Sequence, residues 1–195
     1  MKKTLPLLLA SALMSACQDV PGSHTWEPTL GVDYSLIGDY DLELAALGYS
    51  LETDVDYRVI QFEAGATKVD YSGGASVKKE FAGIRFGVGE VEDDDIDASV
   101  DIWELSGGGR WYFDSGDALI PYLSLWSVIS GFEDVDSPQL GLRVGGGVEY
   151  PLHEVFFLRA ELDYLFPLLE GEDDFGIDVE GDGIALRVGF SAFVP

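Results

Sequence analysis

The sequence predicts an all-β fold: a closed antiparallel β-barrel that crosses a membrane, with eight strands expected and ten still compatible with the pattern. Three observations carry this expectation. The 195 residues include 24 glycines and many aromatics (11 Phe, 9 Tyr, 4 Trp) against 8 prolines, a balance that favours strands over helices. Beyond the N-terminus no run of about 18 apolar residues occurs, which excludes a transmembrane helix but not a membrane strand of about 10 residues. The third observation is the stretch Asp101–Phe113, DIWELSGGGRWYF. Taken alternately, it gives Trp103, Leu105, Gly107, Gly109, Trp111 and Phe113 on one face, and Ile102, Glu104, Ser106, Gly108, Arg110 and Tyr112 on the other. At about 3.3 Å per residue and a tilt of about 40°, Trp103 and Trp111 lie roughly 20 Å apart along a membrane normal, close to the spacing of two aromatic girdles. Alone, the same stretch also suits a half-buried strand of a soluble sandwich.

The N-terminus reads as residues 1–16 for export and 17–28 as a linker. Lys2 and Lys3, an apolar core from Leu5 to Met14 and then small residues have the layout of an export signal. Met14-Ser15-Ala16-Cys17 resembles a bacterial lipobox, in which the cysteine is acylated and becomes the first mature residue; Met14 stands where leucine is usual. Gln18 after Cys17 favours forwarding to the outer membrane by the same resemblance. The other reading is an ordinary signal cut after Ala12 or Ala16. Cys17 is the only cysteine, so an intrachain disulfide is excluded. Gln18–Pro28 is polar, with Pro21, Gly22 and Pro28, and reads as linker. Without Lys2 and Lys3 the mature chain carries nine basic residues against 36 acidic ones, a net of −27. Such a chain repels nucleic acid, which is excluded as a partner.

The barrel is expected over residues 29–195. Period-two runs occur at Thr29–Ile37, Leu42–Leu51, Tyr57–Val69, Lys79–Gly89, Ser99–Phe113, Ala118–Ser130, Gln139–Tyr150, Val155–Phe166 and Gly183–Val194. Nine is an awkward number, because a barrel with both ends on one side needs an even count. The first run is the one expected to drop out, since it adjoins the linker and Gly38–Asp41 bounds it weakly. Asp114–Asp117 and Pro151–Glu154 read as short turns, whereas Gly131–Pro138 and Pro167–Asp182 read as longer acidic loops. That alternation is the asymmetry of membrane barrels. Glu90–Ala98 is also acidic, and its side stays open.

The two faces of the later strands separate alike. Ala82, Ile84, Phe86 and Val88 oppose Gly83, Arg85, Gly87 and Gly89. Leu140, Leu142, Val144, Val148 and Tyr150 oppose Gly141, Arg143, Gly145, Gly147 and Glu149. Phe156, Leu158, Ala160, Leu162, Tyr164 and Phe166 oppose Phe157, Arg159, Glu161 and Asp163, and Ile184, Leu186, Val188 and Phe190 oppose Ala185, Arg187, Gly189 and Ser191. The polar faces thus gather a charge network of Arg85, Glu104, Arg110, Arg143, Glu149, Arg159, Glu161, Asp163 and Arg187. Long apolar faces closed by aromatics fit lipid outside, and the network then lines a narrow lumen where each guanidinium needs a carboxylate. Trp103, Trp111, Tyr150, Tyr164 and Phe166 are the expected girdle residues. Ala118–Ser130 is apolar on both faces and cannot be oriented from its pattern.

GGGRWYF (Gly107–Phe113), IPYLSLW (Ile120–Trp126), LGLRVGGGVEYPL (Leu140–Leu152), FFLRAELDYLF (Phe156–Phe166) and GIALRVGFSAF (Gly183–Phe193) together resemble the small outer-membrane β-barrels of the opacity-protein and OmpA-like porin group. The likeness covers Ser99–Pro195. It implies residence in the bacterial outer membrane, contact with outer-membrane lipid, insertion by the barrel-assembly machinery, a structural, adhesive or surface-interaction role, and no common enzymatic activity. Members usually end on an aromatic that the assembly machinery reads; here Val194-Pro195 follow Phe193.

Motifs for other chemistry fail on their own terms. Gly107–Gly109 and Gly145–Gly147 lack the GK[ST] ending and following helix of a phosphate loop. Asp178–Gly183 begins like a calcium loop, but its twelfth position is Gly189 inside a strand. Weak divalent association is chemically reasonable at Asp93, Asp94, Asp95, Asp173 and Asp174, where carboxylates crowd, but solvated acidic loops that keep the outer face soluble are the preferred account. His24 falls in the linker and His153 in a turn beside Glu154, so neither suits a Ser-His-acid site facing the outer leaflet. No enzymatic activity and no cofactor are expected. The expected function is a structural or surface-interaction barrel with a lumen plugged by its Arg/Glu network; a soluble β-barrel lipoprotein binding a small apolar ligand and a narrow porin-like pore are the alternatives.

Overall fold

The computed structural model describes residues 24–46, 49–70, 77–93, 98–113, 118–132, 138–169, 171–172 and 178–194. Nine strands follow in order: β1 (His24–Ala46), β2 (Tyr49–Asp70), β3 (Val77–Asp93), β4 (Ala98–Tyr112), β5 (Ile120–Phe132), β6 (Gln139–Pro151), β7 (Phe156–Leu169), β8 (Gly171–Glu172) and β9 (Asp178–Phe193). All pairings are antiparallel. β1 closes on β9 from Thr29↔Phe193 to Ala45↔Asp178, so β1–β7 and β9 make a closed eight-stranded barrel, with the two-residue β8 appended to β9. Among the described residues no helix is long and apolar enough to cross a membrane.

The even count arises differently from the expectation. The run at 29–37 is a genuine strand, and the run at 42–51 is the one that dissolves, divided between the end of β1 and the start of β2. Gly38–Asp41 is not a boundary but follows a bulge inside β1. Pairing slips between Ser35 and Ile37 on the β9 side and between Tyr34 and Asp39 on the β2 side, which leaves Leu36 and Ile37 both outward. Gly38 permits this: a Cβ there would sit 2.5 Å from the Tyr57 carbonyl oxygen and 2.9 Å from Tyr57 Cβ.

β1 also starts at His24, inside the expected linker 17–28. Pro28 is tolerated because only its carbonyl is needed, accepting from Val194 N at 2.8 Å. Likewise the expected loop at 167–182 is shorter than its composition suggests. β7 reaches Leu169, and β9 begins at Asp178, whose run to Asp182 pairs with Asp41–Ala45 of β1.

Connections β1–β2, β3–β4, β5–β6 and β7–β9 lie at one end, here the loop end. The turn end holds the other three connections together with His24 and Phe193. Residues 90–93 and 98, the described parts of the acidic segment 90–98, therefore lie at the loop end. At the turn end, residues 152–155 are tied by Leu152 N and His153 N, which donate to Phe156 O at 2.9 and 3.2 Å.

Outward positions form an apolar belt. No charged side chain points outward between Arg58 and Lys68 on β2 or between Glu80 and Glu90 on β3. Ten residues at about 3.3 Å and a tilt of about 40° span about 25 Å, the height of a bilayer-facing band. The belt includes Leu30, Phe62, Phe86, Leu123, Phe156 and Phe190, each about half exposed. β5, which sequence alone left unoriented, turns Leu123, Leu125 and Ile129 outward and buries Tyr122, Ser124, Trp126 and Val128.

Candidate functional site

The lumen is where the chemistry of this chain is concentrated. Strand alternation sends one side chain in two inward, and the inward set of each of the eight barrel strands carries at least one polar group able to reach a neighbour. Six cations (Lys78, Arg85, Arg110, Arg143, Arg159, Arg187) and six carboxylates (Asp33, Glu63, Glu104, Glu149, Glu161, Asp163) are buried there, so among the described residues the buried charges balance. All nine network residues read from the sequence are among them. Sequence reasoning missed Lys78, Asp33 and Glu63. The signal for Glu63 was present in 57–69, where Gln61, Glu63 and Thr67 alternate with Ile60, Phe62 and Ala66. Asp33 is flanked in the same manner by Val32 and Tyr34.

Glu63 is the hub. It accepts from Arg85 Nε at 3.0 Å and from Arg159 Nη1 at 3.0 Å, and Arg110 grips both of its oxygens, with Nη1 3.0 Å from Oε1. Arg159 also clasps Asp33 with Nε and Nη2, the first at 3.0 Å. Glu161 takes Arg85 Nη2 at 3.0 Å, Tyr122 Oη at 2.9 Å and Ser124 Oγ at 2.9 Å. The Arg85 guanidinium lies 3.8 Å from the Trp126 ring centre, and Trp126 has no solvent exposure.

Toward the loop end, Glu104 accepts from Gln61 Nε2 at 2.7 Å and Arg143 Nη2 at 2.8 Å. Asp163 bridges Arg143 Nε at 3.1 Å and Arg187 Nε at 2.6 Å, and Arg187 Nη1 donates to Ser35 Oγ at 3.0 Å. Toward the turn end, Lys78 Nζ donates to Glu149 Oε2 at 2.5 Å and sits 3.3 Å from the Phe157 ring centre, while Tyr112 Oη donates to Glu149 Oε1 at 3.0 Å. Val55, Tyr57, Val59, Val91, Ile102, Val128, Leu165 and Ala185 lie on the loop-end side and belong to the same buried apolar cluster as Phe81, Tyr112, Tyr122 and Trp126. The cost of stripping water from twelve charges is offset only by such complete pairing.

The residues expected to form the girdles also have definite places. Trp103, Trp111, Tyr150 and Phe166 point outward and are 42–49% exposed, Trp103 and Phe166 toward the loop end, Trp111 and Tyr150 toward the turn end. Tyr164 is outward but less exposed; its ring lies 4.5 Å from that of Phe166 and its hydroxyl meets Asp182. Cys17, Asp94, Asp95, Asp173 and Asp174 lie outside the described residues, as does the side chain of Asp93. Among the described residues no group of three or more His, Cys, Asp or Glu is placed to hold a metal ion. His153 is exposed in its turn.

These features define a closed eight-stranded antiparallel barrel of the outer-membrane kind, apolar outside and charged within. No protein-family model matches the chain, and no curated protein matches it. Among solved structures it is similar to neisserial surface protein A, at 13% identity and a TM-score of 0.53 over 86% of this chain and 97% of that one. It is also similar to a major outer membrane protein of Thermus thermophilus (15% identity, TM-score 0.47, 86% and 99% covered). The N-terminal β-barrel domain of Pseudomonas aeruginosa OprF gives 16% identity and a TM-score of 0.40 over 86% and 99% of the two chains. At such identities the likeness is one of fold.

Proposed function

We propose that the protein spans the bacterial outer membrane as a sealed barrel with a structural or surface-interaction role, its acidic loop end outward. The observation that carries this reading is the inversion of the barrel: an uncharged belt about 25 Å tall outside, and a neutral set of six cations and six carboxylates inside. In water that arrangement would expose the apolar face and bury charge; in a bilayer both faces are matched. Trp103, Trp111, Tyr150, Tyr164 and Phe166 act as girdle residues in this reading.

Sealing is favoured over conduction because an eight-stranded barrel is just filled by its own side chains, and here the loop-end side also holds buried apolar side chains. A carrier of a small apolar ligand would need an apolar interior, whereas this one holds twelve charged groups. Acylation of Cys17 would add an N-terminal anchor to the turn-end face, and the assembly machinery and outer-membrane lipid are the expected partners. Weak divalent binding at Asp93–Asp95 and Asp173–Asp174 would reduce repulsion among the outer loops. Catalysis forms no part of this role.

The test is fractionation of expressing cells with gel mobility read before and after boiling. The expected result is recovery with outer membranes, resistance to extraction by urea, and a heat-shifted band. Release as a soluble monomer without detergent would overturn the membrane reading. A planar bilayer separates plug from pore, since a sealed barrel gives no steady ion current. Acyl labelling lost in Cys17→Ser is the expected sign of the anchor.

A further inference from the structure

Above the belt at the loop end, Arg58, Glu90 and Asp101 stand side by side on β2, β3 and β4 (Arg58↔Glu90, Glu90↔Asp101). One outward row toward the membrane centre come Tyr34, Ile60, Val88 and Trp103, paired in that order on β1 to β4. These two rows line a groove of about 700 Å³ that runs from charged rim to apolar belt. A groove polar at one end and apolar at the other matches an amphipathic occupant.

The charges say which kind. Arg58 is already engaged, with Nη1 donating to Glu92 at 2.7 Å and Nη2 to Asp56 at 3.1 Å. Glu90 and Asp101 directly oppose each other, and neither has a hydrogen-bond or ion-pair partner among the described residues. Facing like charges on paired strands are destabilising until a cation lies between them. With one guanidinium against Asp56, Glu90, Glu92 and Asp101, an anionic headgroup is repelled. Below them, Trp103 is seated on Gly131, where a Cβ would lie 2.5 Å from its Cε2 and Nε1, so its indole is held at the groove wall. Carboxylates beside an indole suit an ammonium, and Ile60 and Val88 below suit a hydrocarbon chain.

We infer that this groove binds an amine-headed lipid, with its ammonium between Glu90 and Asp101 against Trp103 and its acyl chain along Ile60 and Val88. The inference rests on the membrane-spanning reading. It is tested on the folded full chain in detergent by native mass spectrometry with phosphatidylethanolamine and phosphatidylglycerol of identical chains, folding being checked by the heat-shifted band. Retention of phosphatidylethanolamine is expected to exceed that of phosphatidylglycerol about tenfold, combining an ion pair with a cation–π contact. The E90Q/D101N double variant should bring the two lipids to parity, and Trp103→Leu should reduce the discrimination. O-phosphoethanolamine, the headgroup without chains, should not be retained; equal retention would overturn the lipid assignment. Equal retention of both lipids by the unmodified protein, or discrimination unchanged in E90Q/D101N, would overturn the site. A barrel that fails to float with liposomes sinks the membrane reading, whereas one that floats without discriminating sinks this inference alone.

Discussion

Replacing Glu63 with Gln is the sharpest perturbation of the lumen. Glu63 alone meets Arg85, Arg110 and Arg159, and its side chain has no exposure to solvent. The substitution keeps the shape but leaves six cations facing five carboxylates, and it turns an amide N–H₂ toward guanidinium donors. Breaking a buried pair by removing one partner costs about 3–5 kcal/mol, because the remaining charge stays buried without compensation. Loss of two or three charge-assisted hydrogen bonds at about 1.5–3 kcal/mol each, partly recovered through the amide oxygen, gives the same range. Urea unfolding of liposome-reconstituted protein, followed by tryptophan emission and the heat-shifted band, reads the change as a lower midpoint at constant slope. Adding Arg110→Gln brings this set to five cations and five carboxylates, and the double variant should recover at least about 1 kcal/mol of the sum of the two single losses. Glu63→Gln within about 0.5 kcal/mol of the parent, or strict additivity in the double variant, would refute the view that this network holds the barrel as one unit.

Other outcomes follow from the same geometry. Phe86→Arg places a charge in the middle of the belt and should cost about 2–4 kcal/mol in bilayers, while Glu90→Arg at the rim should cost far less; liposome unfolding compares them. Lys78→Met leaves Glu149 with Tyr112 and with Arg159 Nη1 at 3.8 Å, so a loss of about 3 kcal/mol is expected in the same assay. Gly131→Val must displace the Trp103 indole, with an overpacking cost of about 1–3 kcal/mol and a shift in Trp103 emission. Gly38→Val meets the Tyr57 backbone and should slow or abolish appearance of the heat-shifted form.

The pattern was legible in the sequence where one strand face is uniformly apolar. Residues 101–113, 139–150 and 156–166 give inward and outward sets that match the barrel, because a period of two leaves only two choices of face. It was not legible where a bulge resets the period. The slip at Ser35–Gly38 makes one long β1 look like two runs, and only the pairing with β2 and β9 on both sides of the slip shows them to be continuous. β5 was ambiguous for another reason. Trp126 is apolar yet inward, since the Arg85 guanidinium needs a flat partner inside the lumen as much as the belt needs an indole outside. Lys78 was hidden by its neighbour Lys79: a second register shift between Lys68 and Val69 places Lys78 opposite Val69, on the inward side. The ion pairs themselves, such as Arg159 with Asp33 across 126 residues of sequence, depend on barrel closure and have no local signature.

The central claim is that the outer face meets lipid while the charged face is enclosed, and the four tryptophans test it directly. Trp26, Trp103 and Trp111 face outward, and Trp126 faces inward with no exposure. In single-tryptophan variants reconstituted into bilayers containing brominated phospholipid, emission from Trp26, Trp103 and Trp111 should be quenched and emission from Trp126 should not. Quenching of Trp126 as strong as that of Trp111, or no quenching at any of the four, would contradict the account.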